Sequence, residues 1–490
     1  MSHGADGTCA TGPTGATVAV VGGGVAGLVV ARDLAVAGHQ VVVLEAGERL
    51  GGTVGSHEVA GLTLDSGAES FAVRTRAVLD LLDDLGLTDD VVAPNPAGAW
   101  VQLPDKAVPM PPTGVLGVPE RVWTPQVRAV VGSIGAARAA LDQVLPVAVG
   151  TARGTSLGWL VRARMGRRVH DRLVAPVVRG GHSADPDALD ADLAGLRAET
   201  VRYGSLAAAA RAARGSGLVG SEVAGIRGGM HRLVAALVDD AVVHGALLRT
   251  RSRVLGLARD AAGWALEVGS LGVPPDAPHE TVRADAVVLA VPGTALGRLL
   301  AKALPDALPG PVPRPGPRVV LATLVLDVPA LDAAPRGTDV LVADGSPRRA
   351  PVSAHTLTHG TAKWAWLAEA VGPGRHVVRL SYGTAAAIGG LPMNAVPMTQ
   401  LTERAREETA RLLEVPIPPG AVVAAARTLW PGGMPPAGPV QRQWQAVVVD
   451  AVSAVPGLHV TGAWTAGTGL SAVVPHARRV AAEVTARLAV

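Results

Sequence analysis

Residues 17–52 read TVAVVGGGVAGLVVARDLAVAGHQVVVLEAGERLGG, and this stretch restricts the fold more than any other part of the chain. An apolar run (Thr17 to Val21) turns through Gly22, Gly24 and Gly27 in G-x-G-x-x-G spacing, continues helically to Ala37, and returns as a second apolar run (Gln40 to Leu44) that ends in Glu45. Strand, turn, helix and strand in that order predict a βαβ unit of a parallel sheet. Each glycine has a steric task. Gly22 permits the tight turn, Gly24 lets backbone approach a pyrophosphate, and Gly27 lets the helix pack close on the strand. Gly23, Val25 and Ala26 complete the loop at the helix N-terminus, where unpaired N–H groups and the positive dipole end attract phosphate. Glu45 stands about 20 residues beyond the glycines, where a carboxylate accepts both hydroxyls of an adenosine ribose. Its charge argues against a 2′-phosphate there. The glycine pattern by itself does not separate a nicotinamide from a flavin dinucleotide.

At 490 residues and 48% hydrophobic the chain can bury a large core divided among two or three domains. Its 44 basic and 41 acidic residues nearly cancel, to +3, which gives no footprint for nucleic acid. Lysine occurs only as Lys106, Lys302 and Lys363, so arginine supplies almost all of the positive charge, as codon usage in a GC-rich genome produces. Cys9 is the single cysteine, which excludes internal disulfides and thiolate clusters and fits a reducing cytoplasm. No uninterrupted apolar run reaches the roughly 18 residues of a membrane span. Residues 1–16 lack the charged and apolar regions of a signal peptide and are expected to be a flexible tail. The expectation is a cytoplasmic protein without a transmembrane segment, with peripheral membrane contact left open. Aromatic residues are Phe71, Tyr203, Tyr382 and nine tryptophans, so a pocket for a large flat substrate would be lined mainly by aliphatic side chains and a few indoles.

Past the opening unit, Val54 to Leu64 reads as a hairpin about Ala60-Gly61 with His57 and Glu58 solvated, leading to Asp65-Ser66-Gly67-Ala68-Glu69-Ser70-Phe71, where Asp65 is read as a structural acid. Thr75 to Leu85 has helical periodicity closing at Gly86. A proline-rich segment (Pro94 to Pro119) marks departure from the nucleotide domain, and Gln126 to Val149 and Ser156 to Val178 read as helices in a block without strand signals. Gly245 to Leu257 and Ala284 to Ala290 read as strands around a polar hairpin (264–283), followed by a helix (Thr294 to Leu304) and a proline-rich linker (Pro305 to Pro317). Val319 to Leu326, Asp339 to Ala343, Lys363-Trp364 and His376 to Tyr382 read as strands of a mixed sheet. His355 and His359 are four apart, but the stretch is strand-like and lacks the glutamate of an HExxH site, so no metal is expected. Asn394 to Leu413 reads as an amphipathic helix whose Arg404, Glu407 and Glu408 form a wet face. Gly457 to Gly462 is a strand ending in glycine, followed by Gly467-Thr468-Gly469-Leu470-Ser471 and a C-terminal helix from Ala472 to Leu488.

Several of these stretches resemble one family. Glu45, Arg49 and Gly51-Gly52 match the E-x-x-x-R-x-G-G extension of two-dinucleotide-domain flavoproteins, the group containing amine oxidases, phytoene desaturases and protoporphyrinogen oxidases. The run RLVAPVVRGGHSADPDAL (Arg172 to Leu189) is similar to R-L-V-E-P-x-x-x-G-x-Y-A-G-D-P-x-x-L of the oxygen-dependent protoporphyrinogen/coproporphyrinogen oxidases. Tyr203-Gly204-Ser205-Leu206, Arg227-Gly228-Gly229-Met230-His231-Arg232-Leu233 and Thr356 to Trp364 continue that family's Y-G-S-L, R-G-G-M-x-R-L and T-F-x-S-x-K-W runs in order. The resemblance covers most of residues 17–485. It implies an α/β fold: a Rossmann-like two-dinucleotide-domain FAD-binding domain (17–95, 220–295 and 445–490), a helical insertion for substrate access (96–219), and a mixed-sheet substrate domain (296–444). FAD is the implied cofactor, held by Gly22, Gly23, Gly24, Val25, Ala26, Gly27, Glu45, Ala46, Arg49 and Gly52. Gly67, Ala68, Glu69 and Ser70 would pass along the flavin, and Val254 would meet the adenine through its backbone. Trp430 would lie at the isoalloxazine edge, and Gly462, Gly469, Leu470 and Ser471 would bring a second helix N-terminus to the ring.

The implied activity is oxidation of coproporphyrinogen III to coproporphyrin III by O2, six electrons in three rounds, with H2O2 formed and the product handed to a downstream chelatase. The resemblance implies no catalytic side chain, because pyrrole protons can leave to solvent. Arg162, Arg164, Arg168 and Arg179 are the candidates for an arginine-rich mouth that holds the propionates. Three departures stand out: Leu470-Ser471-Ala472-Val473-Val474-Pro475 replaces the family's I-P-D-C-I run, Pro435-Pro436-Ala437 replaces P-Q-Y, and His182-Ser183 replaces Y-A. Protoporphyrinogen IX oxidation, a flavin amine oxidase or desaturase activity, and a non-catalytic FAD-binding role remain as alternatives.

Overall fold

Five short, largely apolar runs assemble into one parallel sheet in the order Leu247–Arg249, Gln40–Leu44, Thr17–Val21, Ala286–Leu289, Leu458–Val460. Continuous Val/Leu runs suit such strands because both faces of the sheet are covered. One face packs on the first helix (Val25–Val36), the helix His231–Val243 and the C-terminal helix Leu470–Leu488. The other packs on the helices Gly293–Ala303 and Pro439–Ser453 and on a three-stranded meander, Ser252–Asp260, Gly263–Ser270 and Glu280–Ala284. That meander corrects the reading of 264–283 as a polar hairpin. Trp264, Leu266 and Val268 are buried at period two, so the segment is a half-buried layer with polar residues on its outer face.

The computed structural model describes residues 15–73, 75–182, 184–192, 195–213, 223–270, 272, 279–304, 315–343, 352–383, 386–432 and 438–489. The N-terminal tail through residue 14, most of the proline-rich linker, Ser183 and the Pro435-Pro436-Ala437 departure lie outside them.

The second sheet is mixed and seven-stranded, in the order Val422–Trp430, Val319–Asp327, Arg375–Tyr382, Thr356–His359, Asp339–Val342, Ala99–Gln102, Ala107–Pro109. All its pairs are antiparallel except Asp339–Val342 with Ala99–Gln102. Residues 99–109 therefore pair with this sheet rather than with the helices that follow them. Lys363-Trp364, read as strand, instead joins the short helices Gly360–Lys363 and Ala365–Val371 at an extended Trp364. The helix Met398–Leu413 packs Leu401, Ala405, Leu412 and Leu413 onto the sheet. Its Glu408 is fully buried, not part of a wet face, because the carboxylate accepts hydrogen bonds from Ser353 N (2.7 Å), Ser353 Oγ (2.6 Å) and Ala354 N (3.1 Å).

The helical block is more broken than its periodicity suggests. Gly132, at φ +72°, interrupts the helix Pro125–Ala140, and the carbonyls of Val130 and Val131 beside the break accept from Arg172 Nη1 (3.0 Å) and Arg168 Nη1 (3.3 Å). Gly166, at φ +88°, ends the helix Leu157–Met165, whose last carbonyls accept from Arg138. Arginines here replace the hydrogen bonds that glycine breaks remove.

Candidate functional site

All five parallel strands end on the same edge, which collects Gly22, Glu45, Ala290 and Thr461. In an open parallel sheet that edge, where strand order reverses about the first strand, is where a dinucleotide sits. The glycines fit their predicted tasks. A Cβ on Gly27 would stand 1.9 Å from Gly22 O, and one on Gly22, at φ +105°, would stand 2.6 Å from Ala290 O. Gly24 faces open space, with only the Gly52 Cα as near as 4.0 Å to its missing Cβ, and caps the first helix without a side chain. Gly51 N donates to Gly23 O at 2.7 Å, so the second glycine pair is tied back onto the first turn.

Glu45 accepts one backbone N–H on each oxygen, Gly23 N on Oε2 and Gly47 N on Oε1, both at 2.7 Å. Each oxygen keeps a lone pair, so the two hydroxyls of a ribose can still be accepted. Ser252 N and Arg251 N bond Glu45 O and Gly47 O, and this docks the meander beside the carboxylate. Val254, two residues on, is buried at a register shift in its strand and shares a cluster with Val42 and Leu44. Ala46 is half-buried beside Glu45, whereas Arg49 is exposed and donates to Ser56 O at 3.1 Å.

Gly469, at φ +93°, starts the C-terminal helix and, like Gly24, supplies no side-chain cap. Leu470 belongs to the same buried cluster as Val25 and Ala26, and the two helices with uncapped N-termini pack on each other although some 440 residues separate their starts. Ser471 is half-buried in that first turn, and Gly462 (φ +114°) leads out of the last strand. The glycine cradle, the free lone pairs of Glu45 and the two uncapped helix N-termini fit a dinucleotide with a phosphate bridge and a ring that carries negative charge when reduced.

The segment Asp65–Ser70 bridges this edge to the second sheet. Asp65 is structural, as expected, accepting from Met230 N (2.9 Å), His231 N (3.0 Å) and His231 Nδ1 (3.0 Å) at the start of a helix. Trp430, at the end of its strand, donates Nε1–H to Ser66 O at 3.0 Å and lies against Gly67, where a Cβ would meet Cζ2 at 3.2 Å. Ala68 N donates to Thr53 O, and Ser70 is half-buried. Glu69 holds the surprise. Its carboxylate accepts from Lys363 Nζ (2.8 Å) and Arg379 Nη2 (2.6 Å), and Lys363 also reaches Asp339 Oδ1 (3.2 Å). Burial alone would raise the Glu69 pKa, but Arg379 and Lys363 outweigh it and hold the group at about 2. Burial likewise opposes the Lys363 charge, and Asp339 and Glu69 keep the ammonium protonated. A cavity lined by Leu64, Thr323, Trp364, Leu367 and Val377 lies against Glu69 and Arg379. Sequence reasoning missed Lys363, Asp339 and Arg379 as partners of Glu69. The one available signal was Lys363 itself, a lysine kept where arginine is the rule.

His57 is half-buried rather than solvated, with Nδ1 3.4 Å from Thr428 Oγ1, and burial lowers its pKa. His359 pairs with His376 (Nε2 to Nδ1, 3.1 Å), not with His355. Among the described residues no helix is long and apolar enough to cross a membrane, and no group of three His, Cys, Asp or Glu is placed to hold a metal.

The four arginines of the expected mouth do not converge. Arg164 is fully buried, with Nε 2.5 Å from Asp142 Oδ1, and is corrected to a structural residue because no substrate can reach it. Arg162 makes a forked pair with Asp187 (2.9 and 2.5 Å) and touches His170, Arg168 bonds Val131 O, and Arg179 pairs with Asp185 at 2.8 Å.

With this geometry in place, comparison with known proteins is decisive: residues 25–485 match the flavin containing amine oxidoreductases. The chain belongs to that family. It is therefore a flavin-dependent oxidoreductase, and its cofactor is FAD. Among proteins of this family type, the coproporphyrinogen III oxidase of Mycobacterium leprae is 28% identical, covering 97% of this chain and 100% of that one. That of Propionibacterium freudenreichii subsp. freudenreichii is 30% identical over 70% of this chain and 69% of its own. A crystal structure from Exiguobacterium sp. 255-15, provisionally named a protoporphyrinogen oxidase, superposes with a TM-score of 0.75 at 22% identity, covering 96% of this chain and 99% of the other. At that identity the likeness is one of fold.

Proposed function

We propose that this flavoenzyme oxidises coproporphyrinogen III to coproporphyrin III. The observation that carries the reading is end-to-end similarity to the mycobacterial coproporphyrinogen III oxidases, joined to a cradle whose two halves come from opposite ends of the chain. Bound FAD would supply the two-electron redox chemistry of each of three rounds with O2 as final acceptor, a balance of six electrons from the macrocycle and three H2O2 formed. The chain's own residues bind, orient and exclude water. Gly22 to Gly27 and Glu45 hold the adenosine and phosphates. The uncapped turn at Leu470 and Ser471 sets a positive dipole end where the reduced ring gains charge. Asp65 to Ser70 carries the ring edge, and the seven-stranded sheet supplies the substrate floor.

We read the chain as a nucleotide lobe, a helical access lobe and a sheet lobe, acting in the cytoplasm and passing porphyrin to a chelatase. Arg162, Arg168 and Arg179 stay candidates for propionate contacts at the helical lobe's surface, each only by leaving its present partner. Purified, FAD-loaded protein incubated with coproporphyrinogen III under air should develop porphyrin fluorescence and about three H2O2 per porphyrin. Fluorescence only with protoporphyrinogen IX, or peroxide only with amines, would reassign the substrate. Full FAD occupancy with neither product would make the chain a binding protein.

A further inference from the structure

Residues 66–70 belong to no helix or sheet ladder, yet they are anchored from both sides. On one side Ser66 N and Ala68 N donate to Gly55 O and Thr53 O within the nucleotide lobe. On the other, side chains of the seven-stranded sheet take the carbonyls in succession: Arg379 Nη1 bonds Asp65 O (3.3 Å) and Gly67 O (2.9 Å), and Trp430 Nε1 bonds Ser66 O. Glu69 then enters the ion cluster with Lys363 and Arg379, residues 294 and 310 positions away. The cluster is itself fixed. Asp339 accepts from Lys363, from Thr358 Oγ1 (2.9 Å) and from Thr338 Oγ1 (2.8 Å), and Asn95 N donates to Lys363 O (2.8 Å). Two cations face two carboxylates, so the network is neutral as well as saturated.

Stability alone does not account for this arrangement. Apolar side chains of similar volume would join the two lobes at no desolvation cost, and buried ion pairs are weak contributors to net stability. Charged groups of fixed geometry do supply a defined register between two surfaces. We propose that Lys363 and Arg379 are positioning residues which, through Glu69, lock the Asp65–Ser70 segment and the flavin ring beside it to the floor sheet, and so set the distance from ring to substrate. The proposal rests on the function proposed above for where the substrate lies, and on family membership for the ring. It places no chemistry on Lys363, whose ammonium is committed to Glu69 and Asp339.

The test uses full-length, FAD-loaded protein and the variants Lys363→Met, Lys363→Arg and Glu69→Gln. Lys363→Met is expected to keep its FAD while its flavin absorption and visible circular dichroism bands shift. Its kcat with coproporphyrinogen III should fall about 10- to 100-fold, the scale of a misplacement near 1 Å, with KM moving less than about threefold. Lys363→Arg should restore the bands and most of kcat. Glu69→Gln keeps shape and volume and should reproduce the Lys363→Met phenotype, which covers the case in which Lys363→Met does not fold. Wild-type flavin bands together with wild-type kcat in Lys363→Met or Glu69→Gln overturn the proposal. If the wild-type chain does not oxidise the porphyrinogen, the substrate assignment fails on its own, and the band shifts and their rescue still decide whether Lys363 positions the ring.

Discussion

Replacing Arg164 with methionine separates two incompatible roles for one residue. The guanidinium is fully buried and gives Nε to Asp142 Oδ1 (2.5 Å), Nη2 to Asp142 O (2.8 Å) and Gly204 O (2.7 Å), and Nη1 to Pro146 O (3.2 Å) and Val149 O (3.3 Å). Asp142 in turn accepts from Ser205 Oγ (2.9 Å), Leu206 N (3.0 Å) and Ala207 N (2.9 Å), which caps the helix Leu206–Ala213. Methionine fills most of the stem volume, so the cavity contribution is small. It leaves a buried carboxylate with three donors and no counter-charge, together with four carbonyls short of a partner. Removing one member of a buried pair costs about 3–5 kcal/mol, and 4 kcal/mol is close to a thousandfold in the folded-to-unfolded ratio. Urea titration followed by far-ultraviolet circular dichroism should show that loss. At a temperature where the variant remains folded, its KM for coproporphyrinogen III should match wild type. Arg164→Met/Asp142→Asn should recover part of the loss by removing the uncompensated charge. The opposite pattern, unchanged unfolding with KM raised tenfold, would make Arg164 a propionate ligand and refute the buried-pair account.

Three further outcomes follow from the geometry. Gly27→Ala puts a methyl 1.9 Å from Gly22 O, so the first helix must lift from the sheet; the purified variant should be nearly colourless, and stoichiometric yellow FAD would contradict the cradle. Burial, aided by His376, lowers the His359 pKa to about 4 from an ordinary 6.5, so the unfolded chain binds a proton in that interval before the folded chain does. The stabilisation is complete above about pH 6.5 and is lost, to a total of about 3 kcal/mol, as pH falls to 4. His359→Gln should therefore reduce the slope of unfolding free energy with pH between those limits, and an unchanged slope would count against it. Glu408→Ala strands the Ser353 and Ala354 donors and should cost about 2–3 kcal/mol in thermal or urea unfolding, far more than Glu403→Ala at an exposed position of the same helix.

How much of this was legible in the sequence depended on how local its cause is. The glycine turn, the strand to Leu44 and the acid at Glu45 are fixed by contacts within about 30 residues, and each appears where the motif places it. The hairpin about Ala60-Gly61 follows the same rule. Polar residues that meet their partners inside the protein were misread in a consistent direction. Glu408 passed for a solvated charge on an amphipathic helix, Arg164 for part of a propionate-binding mouth and His57 for a solvated hairpin residue, because composition and periodicity report which face is polar on average and not whether a polar group meets a partner inside. The arginines of the helical block show why. Gly132 and Gly166 break helices where the pattern runs on, the breaks release carbonyls, and Arg138, Arg168 and Arg172 answer them, so a basic count that looks like a binding mouth is largely consumed by backbone repair. The same logic makes Lys363 informative. Its ammonium serves Glu69 and Asp339 together, so a cation set between two carboxylates is what the position requires. Buried one residue before a buried tryptophan, that cation draws on Glu69 and Asp339 from positions 294 and 24 residues away, a pairing no local pattern announces.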